Sequence, residues 1–339
     1  MKRIGIVIVL LLFICIMLFL GYYLTKEKKI TTENNQNMES TSVLEKESSF
    51  PEKIDGPIYN KDGSVTIPEG YTACGFYDSE TGKIIDSGTT IKVPSDILRG
   101  RIHFQQNFPI ERTYLLIILV DYMQHQFFVE NQSFQSYPFK LEGENEINLN
   151  ISVNLTETDG KEFSFLIIPE PEEKNFLIDG EYNWDFMFLG RELIANRYIL
   201  DRLTLQSIEE EEIPQNCIEF QSEWDISGFE LVKSRNNLKA FVEGKGGEML
   251  ELLILNQDQA SEDKNYIILS FSDWQQVAVD GENMKYDVTV KANSSISIPI
   301  TLPEVEVPTI FQIIAFNNPD SLYDRNAWES LTTFRVLVI

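Results

Sequence analysis

The sequence predicts an all-β ectodomain behind one N-terminal transmembrane helix, and three observations carry that expectation. An uncharged 21-residue run stands near the start of the chain. Most of the chain beyond it consists of short apolar stretches with period-two alternation, divided by turn chemistry. Four blocks of the first half then recur, in the same order, in the second half.

The first element is residues 4–24, IGIVIVLLLFICIMLFLGYYL. At ~1.5 Å per residue such a helix crosses a hydrocarbon core of ~30 Å. Tyr22 and Tyr23 fall where an interfacial aromatic belt would lie. A secretory signal would have a shorter apolar core, roughly 7–15 residues, and small residues at a cleavage site. Gly21-Tyr22-Tyr23-Leu24-Thr25 offers no such site, and Ile14 before Cys15 is the wrong residue for lipidation. An uncleaved signal anchor is expected, with residues 1–3 in the cytoplasm and the C-terminal domains outside the cell membrane. Lys2 and Arg3 favour this orientation, against Lys26, Lys28 and Lys29 beyond the span.

Residues 25–56 are rich in Glu, Asn, Ser, Thr and Lys and poor in apolar side chains. Too little surface is available there to offset the entropy of ordering, so a disordered polar stalk is expected. Beyond the anchor the chain holds 26 basic against 53 acidic residues, a net of −27. That balance excludes nucleic acid, whose binding rests on Lys and Arg neutralising phosphates. The partners expected are the membrane, through residues 4–24, and an unknown protein or cell-wall glycan.

From Ile58 onward strands dominate. Ile147, Leu149, Ile151, Val153 and Leu155 form one apolar face, and Ile296, Ile298, Ile300 and Leu302 repeat it. Residues 114–124 (YLLIILVDYMQ) align without a gap on 266–276 (YIILSFSDWQQ). Tyr114 matches Tyr266, Asp121 matches Asp273 and Gln124 matches Gln276, while Tyr122 faces Trp274. Residues 148–155, 163–171 and 197–206 have counterparts in 295–302, 311–319 and 331–339. Several short strands at this spacing indicate sandwiches. The expected fold class is therefore two tandem immunoglobulin-like β-sandwiches related by internal duplication. Their bounds are 57–206 and 217–339, joined by an acidic linker at 207–216. The first sandwich carries extra residues before its last strand, where Leu189, Leu193 and Ile194 have helical spacing and suggest a short helix.

Candidate chemistry is sparse. His103 and His125 are the two histidines, and both read as half-buried strand residues. Turn segments 59–65, 156–162 and 256–263 offer oxygen ligands, but none has the twelve-residue calcium-loop pattern. Cys74 and Cys217 lie in different sandwiches and are expected as free thiols. No catalytic, metal or cofactor residues are assigned, and no enzyme activity is expected. Trp184, in the segment without a counterpart, is the candidate for stacking on a ligand. Asp121, Tyr122, Gln124, Asp273, Trp274 and Gln276 are expected to build a repeated structural turn, with the aspartate accepting backbone N–H bonds. The functional expectation is a membrane-anchored, extracytoplasmic binding or assembly module. The alternatives are a glycan-binding surface protein, a surface hydrolase, and an accessory subunit of a membrane complex.

Overall fold

The computed structural model describes residues 70–156, 158, 160–174, 193–202, 227–234, 241–256, 262–317 and 330–339, with short strands at 58–59, 65–66, 177–178, 181–182 and 218–220. The expected transmembrane helix, stalk and acidic linker lie outside these residues, as do Cys15, Trp184, Leu189, Cys217, Trp224 and Trp328. Among the described residues every regular element is a strand, arranged in several sheets. No helix there is long and apolar enough to cross a membrane.

In the first half, one sheet runs Gln132–Phe134, Phe127–Val129, Glu144–Asn154, Ile97–Asn107, Tyr71–Asp78, Ile84–Ile85. The sheet packed against it runs Ser136–Leu141, Arg112–Val120, Glu162–Pro169, Ile194–Arg202, Thr90–Val93. Phe76, Ile102, Phe104, Leu149, Ile151 and Val153 meet Tyr114, Leu116, Ile118, Phe163, Phe165 and Tyr198 in one buried core. Each such side chain contributes roughly 1.5–3 kcal/mol on leaving water. Gly100 fits this core because the Phe76 ring lies over it, with Cζ 2.0 Å from where a Cβ would stand.

The second half repeats the arrangement. Ser294–Thr301, Met249–Asn256 and Ser227–Val232 form one layer. The other runs Tyr286–Val290, Lys264–Ser272, Thr309–Asn317, Val336–Val338, Glu243–Gly244. In both halves the short edge strand runs parallel to the last strand, and every other pairing is antiparallel. The register repeats as well: Phe163 stands opposite Val120 as Phe311 stands opposite Ser272. The halves differ at one edge. There Phe127–Val129 pairs with Glu144–Asn154, whereas Ile218–Phe220 pairs with Ser294–Thr301.

Two expectations require adjustment. Ile194 begins a strand, not a helical turn: it pairs with Ile167, and the strand reaches Arg202. The helical spacing of Leu193 and Ile194 from Leu189 is outweighed by ladder bonds to strands on both sides. The final strands also match in a specific register. Tyr198 faces Phe163 and Val336 faces Phe311, so Arg197 corresponds to Arg335.

Candidate functional site

The strands Arg112–Val120 and Lys264–Ser272 each end in a two-residue turn with both residues at positive φ: Asp121 (50°) with Tyr122 (65°), and Asp273 (42°) with Trp274 (64°). These are the mirror-image turns whose twist suits a hairpin. Asp accepts the left-handed conformation readily; an aromatic residue there carries strain of about 1–3 kcal/mol. The carboxylates pin the turns. Asp121 accepts from the N–H groups of Gly160 (2.8 Å), Lys161 (2.8 Å) and Glu162 (2.9 Å), and Asp273 accepts from Ile310 N–H (2.9 Å). In return the N–H of Asp121 reaches Glu162 O, and that of Asp273 reaches Ile310 O.

The two turns meet each other. Gln124 N–H donates to Gln276 Oε1 (2.5 Å), and Gln276 N–H donates to Gln124 Oε1 (2.6 Å). Gln124 Nε2 donates to Trp274 O (3.1 Å) while Gln276 Nε2 donates to Tyr122 O (3.0 Å). Each contact is answered by its mate under a local two-fold relation, the self-complementary pattern of an isologous interface. Around these bonds lies a buried apolar cluster built from both halves. Leu115, Ile117, Leu119, Tyr122, Leu166 and Ile168 pack with Ile267, Leu269, Phe271, Trp274, Ile314 and Phe316. Matched in order, these are the repeat-equivalent positions. The turn aromatics thus point into the seam between the sandwiches, and they are 7 % and 5 % exposed.

Two residues missed in the sequence complete the seam. Arg197 and Arg335 are 1 % and 2 % exposed. Arg197 Nη1 crosses to Asn317 O (3.2 Å); Arg335 reaches back to Pro169 O (2.6 Å) and Glu170 O. Each guanidinium lies over the aromatic of its own half's turn, 5.5 Å from the Tyr122 centroid and 5.0 Å from that of Trp274. Trp274 Nε1 also donates to Pro171 O (2.8 Å). In the first half an acid joins the arginine. Glu162 Oε1 accepts from Arg197 Nε (2.9 Å) and Oε2 accepts from Tyr122 OH (2.6 Å). Burial and the adjacent Glu162 charge push the Tyr122 hydroxyl well above its ordinary value. Burial opposes the charge on Arg197, but Glu162 outweighs it and raises the pKa. The signal that could have found the pair is Arg197-Tyr198-Ile199-Leu200 beside Arg335-Val336-Leu337-Val338.

A second surface lies on the opposite side of the first sandwich, the outer face of its other sheet. Across the strands, Tyr77, Arg101 and Asn150 form one row, Gly75, His103 and Asn148 the next. Arg99, Ser152 and Phe128 form a third. The Arg101 guanidinium sits 4.8 Å from the Tyr77 centroid, and the His103 ring meets the Tyr77 edge at 6.0 Å. His103 Nδ1 lies 3.2 Å from Asn148 Oδ1. His125 is elsewhere, with Nε2 2.7 Å from Asn154 O. Arg99 also borders a cleft of ≈ 330 Å³ lined by Asp78, Glu80, Ile91, Lys92 and Leu98.

No family model matches the chain, and no curated protein does either. Among solved structures, red sea bream transglutaminase aligns at 6 % identity over 79 % of this chain, with a TM-score of 0.21. This chain spans 31 % of that enzyme. The C-terminal domain of the Streptococcus agalactiae AgI/II polypeptide BspA aligns at 9 % over 79 % of this chain and 99 % of its own, with a TM-score of 0.21. CBD12 from CALX1.2 aligns at 12 % over 69 % of this chain and 80 % of its own, with a TM-score of 0.19. Overlap this loose leaves the architecture to be read from strand order and register alone.

Proposed function

We propose that this chain is a single-pass membrane protein whose two immunoglobulin-like sandwiches, one a duplicate of the other, form an extracytoplasmic, non-catalytic binding or assembly module. The observation that carries the reading is the reciprocal seam. Twelve repeat-equivalent side chains, the Gln124–Gln276 pair and the crossed arginines join both sandwiches into one body. A joint of this kind holds the loops and outer faces of both halves in a constant relation, which suits recognition. The aromatic residues of the repeated turn are consumed by the joint, so recognition falls to the outward faces. Glycan binding is the more specific form of the reading, favoured by the polar and aromatic outer face of the first sandwich.

Two experiments test it together. Fractionation and protease treatment of intact cells should place the chain in the membrane with its sandwiches cleavable from outside. The full chain, held in detergent, should bind a component of a glycan array without turning over any member of a hydrolase substrate panel. Recovery of a mature protein starting near residue 25 from the medium would overturn the anchor. Turnover abolished by one carboxylate or histidine substitution would overturn the binding module.

A further inference from the structure

The placement of the arginines singles out one part of the surface. The chain carries 53 acids to 28 bases, and several cations are held by a carboxylate. Arg197 pairs with Glu162, Arg112 with Glu170, Lys140 with Glu111 and Lys233 with Glu248. Arg99 and Arg101 stand apart as two guanidinium groups on one outer face. They are two residues apart on one strand, so both project from the same face, about 7 Å from each other. Among the described residues neither has an acidic partner. Like charges placed side by side on a sheet work against folding, and local choices that oppose the fold mark candidate functional positions.

We infer that the outer face around Arg99 and Arg101 is a binding surface for a carboxylate-bearing polysaccharide, a deepening that rests on the binding-module reading above. Three features fit that occupant. The Arg101 guanidinium is stacked on Tyr77, which orients its planar fork before a ligand arrives. A guanidinium matches a carboxylate with two parallel hydrogen bonds, and two arginines in line suit charges repeated along a polymer. The neighbouring strand supplies hydroxyl-binding groups in the same spacing, Asn148 and Asn150 being exposed and Ser152 partly so. Phe128, 38 % exposed beside the Arg99 row, adds a ring on which a sugar can lie.

Neither arginine forms an ion pair with the acids nearby, Glu80 of the adjoining cleft included. Asp78 is held by the N–H groups of Glu80 (3.0 Å) and Thr81 (2.6 Å). Glu146 stands at the other end of the face, 3.9 Å from His103, and bounds the basic half. The overall acidity of the molecule opposes an anionic ligand at long range. At physiological salt the screening length is about 8 Å, so the local pair governs once a ligand is in contact.

The test uses the full chain in detergent, with polygalacturonate, fully methyl-esterified polygalacturonate, polyglutamate and polyphosphate as probes. Polygalacturonate should bind, more weakly as salt rises, and the esterified polymer should bind at least tenfold less well. R99Q and R101Q should each lower affinity at least tenfold with an unchanged melting temperature, while K233Q on the second sandwich should leave it unchanged. Equal binding of polyglutamate or polyphosphate would make this a surface for any polyanion and overturn the glycan assignment. Binding that survives R99Q and R101Q would overturn the choice of face and leave the module reading standing. No polygalacturonate binding at low salt would overturn the inference outright. Turnover of polygalacturonate would instead count against the module.

Discussion

Glu162 and Arg197 form a buried ion pair at the seam, and breaking it should be among the most damaging single changes available. The guanidinium is 1 % exposed and the carboxylate side chain 9 %. Two Arg197 nitrogens, at 2.9 and 3.3 Å, the Tyr122 hydroxyl at 2.6 Å and the Ser164 hydroxyl at 3.2 Å all donate to Glu162. Glu162→Met leaves a buried cation without its counter-charge, and Arg197→Met leaves the reverse while also losing the bond to Asn317 O. Removing one partner of such a pair costs about 3–5 kcal/mol, whereas replacing both with apolar groups of similar volume is often close to neutral. The double variant Glu162→Met/Arg197→Met should therefore be more stable than either single one. Urea unfolding followed by tryptophan fluorescence reads the effect as a shift in midpoint at constant slope. Single costs under about 1 kcal/mol, or a double variant whose cost is the sum of the two, would refute this reasoning.

Gln124→Ala and Gln276→Ala should each cost about 0.5–1.5 kcal/mol because each removes hydrogen bonds to a partly buried partner, and their double-mutant cycle should show positive coupling; independent effects would dissolve the reciprocal pair. Gly100→Ala should destabilise by at least about 1–3 kcal/mol through overpacking against Phe76, measured as a fall in melting temperature. Cys74 carries a free thiol that burial pushes up to about 12 despite the Asn196 amide at 2.7 Å; with Cys15 and Cys217 replaced by serine, maleimide at neutral pH should label it only after unfolding. Asp280 is partly desolvated, but the Asn283 and Glu282 N–H groups and the Tyr286 hydroxyl hold its pKa down to about 2. Its folded value lies below the unfolded ~3.9, so the stability it contributes is present above about pH 4 and is lost as pH falls toward 2. Asp280→Asn should flatten the acid limb of the unfolding profile over that window, and an unaltered limb would contradict the assignment.

Much of the architecture was legible because strands buried on one face alternate. Residues 144–154 and 294–301 declare their inner faces directly, and the aligned Asp121 and Asp273 mark the turns. The seam was less legible for a physical reason. Arg112–Val120 is buried almost throughout, with Tyr114, Leu116 and Ile118 facing the core and Leu115, Ile117 and Leu119 facing the second sandwich. A strand covered on both sides reads as a continuous apolar run, and that run was the available sign that a second layer lay against it. The role of Gln124 was hidden because its partners across the seam, Trp274 and Gln276, are 150 or more positions away. Arg197 and Arg335 were hidden because arginine usually signals a surface. Trp184, chosen for lying outside the repeat, falls outside the described residues, while the outer-face arginines were not distinguished among the chain's 28 bases.

The parallel edge of each sandwich has a mechanical consequence. Thr90–Val93 lies along Ile194–Arg202 in four-residue register, and Glu243–Gly244 lies along Val336–Val338 in the same sense. Each pair brings a strand early in its sandwich beside one that ends it. Once the strands that precede Thr90 and Glu243 have been drawn off, a tension applied ahead of the first and behind the second pulls the two strands past each other along their length. The hydrogen bonds between them are loaded together, in shear, and cannot peel one at a time. The first sandwich, with its longer ladder, should be the one that holds under stretch, and the second the one that yields first.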